Sequence, residues 1–115
     1  MRSLLFFSFI LWFTSCDTPT IRPEEAEDYV GTKVIVCGEV KGAFTSNKGN
    51  VFLNFGADYP NQIFNVVIYS KDAATFDNNP ATSYIGKVVC ITGTVRNYKG
   101  KPEIAVSSKN QIEVK

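Results

Sequence analysis

The chain has 115 residues, which is the length of one domain, and its formal net charge is only +1. Residues 1–15 hold three of the four leucines, five of the fifteen aromatic residues and no acid, whereas the 100 residues from Cys16 onwards hold 20 Val or Ile and one Leu. β-Branched residues favour strands, so this balance excludes a helical bundle or a coiled coil, and the apolar share and low charge exclude a disordered chain.

The first predicted element is an export signal, because Arg2 precedes an apolar run from Leu4 to Phe13. The run is too short for a membrane span, which needs roughly 20 apolar residues. The sequence Phe13-Thr14-Ser15-Cys16 resembles the lipobox of bacterial lipoproteins. The resemblance implies a signal peptide over residues 1–15, a lipidated Cys16 with a tether to residue 23, and a domain over residues 24–115. It also implies a lipid anchor in a membrane of the cell envelope, facing the periplasm or the surface. The alternative is a cleavage nearby that leaves Cys16 as an ordinary residue.

An internal repeat indicates how the domain is built. Residues 29–40 align without a gap with residues 84–95, and five of the twelve positions are identical. Each copy has a turn glycine, a strand, and a second glycine, Gly38 or Gly93. A glycine within a strand is typical of a bulge or a bend, so two strands bent at these glycines predict a small closed sheet.

The remaining elements follow in chain order. The proline and acids of residues 23–29 predict a short helical turn. The first strand lies within residues 29–40, and residues 41–50 are expected to form a polar loop. The other predicted elements are strands at 51–55, 64–69, 87–96 and 102–106, turns at 56–61 and 97–101, a short helix from Ser70 or Asp72 to Phe76, and an extended piece at 111–114.

This pattern resembles the OB-fold family, in particular bacterial nucleic-acid-binding-type modules related to tRNA-anticodon-binding OB domains. The resemblance covers residues 29–114 and lies in the Gly38 strand, residues 52–55, 59–62 and 64–68, and the motifs Gly86-Lys87-Val88, Gly93-Thr94-Val95 and residues 98–104. It implies an all-β, five-stranded Greek-key OB barrel with one short helix between the third and fourth strands, preceded by a lipoprotein signal peptide.

Two cysteines remain if Cys16 is lipidated, and both lie in predicted strands. Exported proteins meet an oxidising compartment, so a Cys37–Cys90 disulfide is one alternative. The other is a pair of buried thiols on strands that never meet. Two cysteines without any histidine are too few ligands for zinc, and no cofactor is expected.

OB folds bind ligands on the outer face of their second and third strands and on the flanking loops. Alternation places Val51, Leu53 and Phe55 in the core, together with Phe64, Val66 and Ile68, and puts the intervening residues on the opposite face. Aromatic and amide side chains on that face, beside basic loops, are typical of a groove for single-stranded nucleic acid. The candidate ligand-binding residues are Lys41, Phe44, Lys48, Phe52, Asn54, Asn65, Tyr69, Arg96, Tyr98, Lys99 and Lys101.

The alternative is that Phe52 and Tyr69 pack structurally and the lysines are merely solvated. Removal of the leader leaves 11 basic and 11 acidic residues, which argues against a strong polyanion binder. The partner would then be an envelope protein, peptide or glycan. An enzyme is not expected, because the chain has no histidine for a Ser-His or Cys-His pair. Asp58, Asp72 and Asp77 could meet, but such residues are more often caps and turn formers.

Overall fold

The structure is a computed structural model that describes residues 17–115. The predicted signal peptide and the predicted lipidation site, Cys16, lie outside these residues. The described chain is mostly β, with a few short helices. Its strands are β1 Thr20–Ile21, β2 Lys33–Thr45, β3 Val51–Phe55, β4 Phe64–Ile68, β5 Val88–Thr94, β6 Arg96–Tyr98, β7 Lys101–Ala105 and β8 Ile112–Val114. The helices are α1 Ser70–Ala73, α2 Pro80–Ser83 and the 3₁₀ helices Pro23–Tyr29 and Lys109–Gln111.

The long strand β2 organises the sheet because its two halves have different partners. The first half, Lys33 to Glu39, pairs antiparallel with β5, and the second half, from Val40 onwards, pairs antiparallel with β3. A register shift between Val40 and Gly42 lies within the pairing with β3. From β3 the sheet continues to β4, then to β7 in parallel, and ends at β6. In the other direction β5 pairs with β8, while β1 lies parallel to the start of β2.

The predicted five-stranded closed barrel is wrong in strand number and closure, because the sheet has eight strands and its path runs open from β6 to β8. Val95 divides the predicted fourth strand into β5 and β6, since it leaves both ladders and forms an isolated bridge with Val30. The predicted loop over residues 41–50 is shorter, because β2 continues to Thr45.

A second helix, α2, was not predicted and follows α1 before β5. The Asn79 side chain accepts a hydrogen bond from the Ala81 backbone N–H, and Pro80 occupies the first helical turn. Asparagine at the N-cap and proline just inside the helix both favour a helix start. The sequence 77–80 was expected to end a helix, and the structure shows that it begins one.

The predicted tether is partly folded. Thr20 and Ile21 form β1, and the Ile21 side chain is only 5% exposed. The Ile35 N–H donates to the Pro19 carbonyl oxygen at 2.8 Å, which extends this pairing. The domain therefore begins before residue 24, the predicted boundary, because Ile21 has an apolar side chain that the core covers.

Gly38 and Gly93 serve close packing and not the predicted bends. Both keep regular register, Gly38 opposite Val89 and Gly93 opposite Val34. A Cβ at position 38 would lie 2.7 Å from Pro23 Cγ, and one at position 93 would lie 2.5 Å from Ile104 Cγ2. The two glycines therefore let a helix and a strand approach the sheet.

The predicted inward faces of β3 and β4 are confirmed. All six of their predicted core side chains are at most 3% exposed: Val51, Leu53, Phe55, Phe64, Val66 and Ile68. They pack with buried valines and isoleucines from β2, β5 and β7. The core fixes which side chains of β3 and β4 point outward, and so it positions the surface considered next.

Cys37 of β2 lies directly opposite Cys90 of β5, and the two sulfur atoms are bonded. Of the two alternatives for these cysteines, the structure therefore contains the disulfide. The bond crosses the half of the sheet that carries β5, and neither cysteine lines the groove described below.

Candidate functional site

A groove of about 710 Å³ lies on the outer face of β3 and β4. The segment between these two strands and the β6–β7 hairpin both contribute to its lining. Its lining residues are Ala43, Phe44, Phe52, Asn54, Asp58, Tyr59, Pro60, Gln62, Asn65, Tyr98, Lys99 and Lys101. This is the face on which an OB fold is expected to bind its ligand.

The groove brings together most of the candidate residues. Those that line it are Phe44, Phe52, Asn54, Asn65, Tyr98, Lys99 and Lys101. Four candidates are not among its lining residues: Lys41, Lys48, Tyr69 and Arg96. The spatial grouping is a finding, whereas a ligand-binding role for these residues stays a prediction.

Residues 57–62 were missed as part of the site, because Asp58-Tyr59-Pro60-Asn61 was interpreted only as a turn. Asp58 lies against Gly42 so closely that a Cβ at position 42 would overlap the carboxylate. This approach allows the segment to fold over the end of the groove. Gly42 lies within β2, and a glycine inside a strand is typical of close backbone approach, but this signal was hidden because residues 41–50 were expected to form a loop.

The sides of the groove carry exposed aromatic rings. Phe44 and Phe52 stack with ring centroids 6.3 Å apart and an interplanar angle of 28°. Phe44 is 57% exposed, Tyr59 73% and Tyr98 46%. Exposed aromatic rings grouped around a concave surface are suited to stacking on a flat ligand.

The two-residue turn of the β6–β7 hairpin holds Tyr98 in place. Tyr98 pairs with Lys101, so only Lys99 and Gly100 form the loop, with φ values of 51° and 84°. Two successive positive φ angles define a type I′ turn, which matches the twist of the flanking strands. The predicted hairpin turn at residues 97–101 is therefore confirmed.

The floor of the groove is polar but less open than the alternation suggested. Asn54 is 2% exposed and Asn65 is 7% exposed, although both were predicted on the outer face. They are direct partners in the β3–β4 ladder. Asn54 Nδ2 donates to Asp58 Oδ1 at 3.3 Å, and Asn65 Nδ2 donates to Glu103 Oε2 at 2.8 Å.

Glu103 connects the floor to two candidates that lie outside the groove. Its carboxylate is 1% exposed and accepts from Arg96 Nε at 2.9 Å, while Arg96 Nη2 donates to the Tyr69 hydroxyl at 2.6 Å. The hydrogen bond with Tyr69, together with the nearby Glu103, raises the pKa of the Arg96 guanidinium. The charge opposite Glu103 is therefore permanent, and Arg96 and Tyr69 support the floor.

Several of the predicted cations are already engaged. Lys101 Nζ donates to the carbonyl oxygens of Pro60 and Gln62 at 3.0 and 2.8 Å, and Lys41 forms an ion pair with Glu39 at 3.0 Å. Lys99 Nζ lies 5.3 Å from the centroid of the Tyr98 ring. Lys48 is exposed and forms no hydrogen bond or ion pair with residues 17–115. The groove therefore offers little unpaired positive charge.

The residues from Asp17 to Lys115 contain no group of three or more His, Cys, Asp or Glu side chains that could hold a metal ion. None of their helices is long and apolar enough to cross a membrane.

Comparison with solved structures supports the fold. The chain has an OB-like fold. It is similar to an aspartyl-tRNA synthetase from Leishmania major Friedlin, with a TM-score of 0.53 and 13% identity, and the match covers 94% of this chain and 22% of that chain. It is also similar to an aspartyl-tRNA synthetase from Entamoeba histolytica, with a TM-score of 0.54 and 17% identity, and this match covers 79% of this chain and 20% of that chain. It is also similar to yeast Stn1 and Ten1, with a TM-score of 0.58, 14% identity and coverage of 91% and 65%.

These similarities are confined to structure. The chain spans about a fifth of the length of the two synthetase chains. No protein-family model matches the sequence, and no curated protein matches it.

Proposed function

We propose that the groove binds a short single strand of nucleic acid and performs no catalysis. The observation that carries the proposal is the set of exposed rings, Phe44, Tyr59 and Tyr98, around a polar amide floor. Bases stack on aromatic side chains with a gain of roughly 1–3 kcal/mol each, largely independent of sequence. Similarity to structures named as aspartyl-tRNA synthetases supports the same ligand class.

We expect binding to depend weakly on salt. Lys99 and Lys48 are the cations expected to contact phosphates. In a plot of log binding constant against log salt concentration, each phosphate contact with a single strand contributes a slope of about −0.7. The slope should therefore lie between about −0.7 and −1.4. Fluorescence anisotropy of a labelled single-stranded oligonucleotide, titrated with the full chain in detergent at several salt concentrations, measures it.

Substitution of Tyr98 by alanine should weaken this binding about tenfold, because one stacking surface is lost. Ile85→Ala is the matched control, since Ile85 is 48% exposed but does not line the groove. Absence of saturable binding at low salt, or equal affinities of Tyr98→Ala and Ile85→Ala, would refute the proposal.

A second candidate ligand is an envelope protein, peptide or glycan on the same face. The engagement of Lys41, Lys101 and Arg96 within the protein favours it, because a polyanion needs unpaired positive partners. Aromatic rings and amides also suit an uncharged ligand. Failure of oligonucleotide binding at low salt would leave this second candidate as the better one.

We also propose that Cys16 carries a lipid that anchors the protein to a membrane of the cell envelope. The lipobox-like sequence 13–16 supports it. Acyl chains contribute about 0.8 kcal/mol per buried CH₂, so two or more chains hold the protein stably. Labelled fatty acid should appear on the protein in cells and should be lost in Cys16→Ala. Thr18→Ala is the control that should keep the label, and label retained by Cys16→Ala would exclude the anchor.

A further inference from the structure

The two asparagines on the floor of the groove have fixed orientations. Each donates its side-chain NH₂ to a carboxylate, Asn54 to Asp58 and Asn65 to Glu103. An ionised carboxylate only accepts hydrogen bonds, so the group that faces it must be the amide NH₂ and cannot be the amide oxygen. The two Oδ1 atoms therefore point away from the carboxylates.

These two oxygens are available to a ligand. Neither accepts a hydrogen bond from residues 17–115, and among those residues the only buried side-chain polar atom without a partner is Gln62 Oε1. The Oδ1 atoms of Asn54 and Asn65 thus accept no hydrogen bond within the described chain, although the two residues are only 2% and 7% exposed. Both residues line the groove, so the floor presents two adjacent acceptors to whatever enters it.

A third acceptor lies beside them. Asp58 Oδ1 accepts from Asn54 and from the Tyr59 backbone N–H, while Asp58 Oδ2 accepts no hydrogen bond from the described residues. Asp58 is exposed at the end of the groove. Its negative charge strengthens hydrogen bonds from a neutral donor and repels phosphate, so bases face the floor and the backbone faces outward.

We infer that the groove selects guanine over the other bases through the acceptors of Asn54, Asn65 and Asp58. Directly opposed side chains of an antiparallel pair are about 5 Å apart, close enough to meet neighbouring donors on one base edge. Guanine carries two adjacent donors on its pairing edge, the N1–H and the N2 amino group. Adenine, cytosine and uracil each present a single donor position there. The inference rests on the proposed binding of single strands.

The test compares guanine with hypoxanthine, which lacks only the N2 amino group. Four labelled oligothymidines of about eight nucleotides serve as probes, a length within the site size of one OB fold. They differ only at the two central positions, which are guanosine, inosine, adenosine or cytidine. We expect guanosine to bind most tightly and inosine about tenfold more weakly, because one floor acceptor is left unpaired. The comparison uses the unaltered full chain in detergent, so no variant has to fold.

Asp58→Asn should reduce the guanosine-to-inosine ratio towards one, since the amide at position 58 replaces one carboxylate acceptor by a donor and removes the negative charge. Asp28→Asn makes the same charge change outside the groove and should keep the ratio. Tyr98→Ala should weaken both oligonucleotides equally. Saturable binding with equal affinities for guanosine and inosine would overturn the guanine inference and leave the proposed function standing. No saturable binding to any oligonucleotide would overturn both.

Discussion

Replacement of Cys37 and Cys90 together by alanine is expected to lower the free energy of unfolding by about 4 kcal/mol. The two cysteines are 53 positions apart in sequence, so the disulfide closes a long loop in the unfolded chain. Without it, the unfolded state gains the entropy of that loop. A loss of this size is a large share of the 5–15 kcal/mol typical of a small domain. Urea unfolding followed by circular dichroism measures the change.

The control for this prediction compares the unaltered protein and the double alanine variant in the presence of a reducing agent. The reducing agent should destabilise the unaltered protein by a similar amount and leave the double alanine variant unchanged, because that variant has no bond between positions 37 and 90 to reduce. Two free thiols at Cys37 and Cys90 in folded, unreduced protein would contradict the prediction.

Arg96→Met is expected to cost about 2 kcal/mol of unfolding free energy. The Glu103 side chain is 1% exposed, and its ion pair with Arg96 has an N–O distance of 2.8 Å. Removal of one partner from a buried pair typically costs 3–5 kcal/mol because a charge is left unpaired. The Arg96 side chain is 43% exposed, so water can reach this pair and the cost is lower. Equilibrium unfolding of the two proteins under identical conditions gives the difference.

Lys99→Met is the matched control, because it makes a similar change on the exposed hairpin and should stay within about 0.5 kcal/mol of the unaltered protein. The double variant Arg96→Met, Glu103→Gln should be more stable than Arg96→Met alone, since position 103 then carries no buried charge and its amide oxygen can still accept from Asn65. An Arg96→Met protein as stable as Lys99→Met would show that Glu103 does not depend on Arg96.

The parts of the fold that were predictable are those with strong periodicity. Strand β3 was predicted with its observed bounds, and the core faces of β3 and β4 followed from the alternation of large apolar side chains such as Leu53 and Phe64. The short strands β1 and β6 were not separated from their surroundings, because a period of two needs several residues to be visible, whereas β8 lies within the extended piece predicted at 111–114. The break at Val95 was hidden because valine fits a strand pattern whether or not it is paired.

The outer face of the candidate site was predictable, whereas the burial of the asparagines on its floor was not. Alternation put Asn54 and Asn65 on the outer side of the sheet, which is correct. Their burial depends on carboxylates from Asp58 and Glu103, and Glu103 is 38 positions from its partner. Lys101 and Arg96 were predicted as ligand-binding residues, and the structure shows that they also bind carbonyl and carboxylate oxygens of other segments. Such long-range pairs leave no local signal in a single sequence.

Strand β1 limits how far the domain can stand from a membrane. Thr20 is already in the sheet, four residues after Cys16. A fully extended chain covers at most about 3.6 Å per residue, so a lipid on Cys16 would lie within about 14 Å of the first sheet residue. The domain would then rest close to the headgroups and sweep only a small volume, and its ligand would have to come to the membrane surface to be bound.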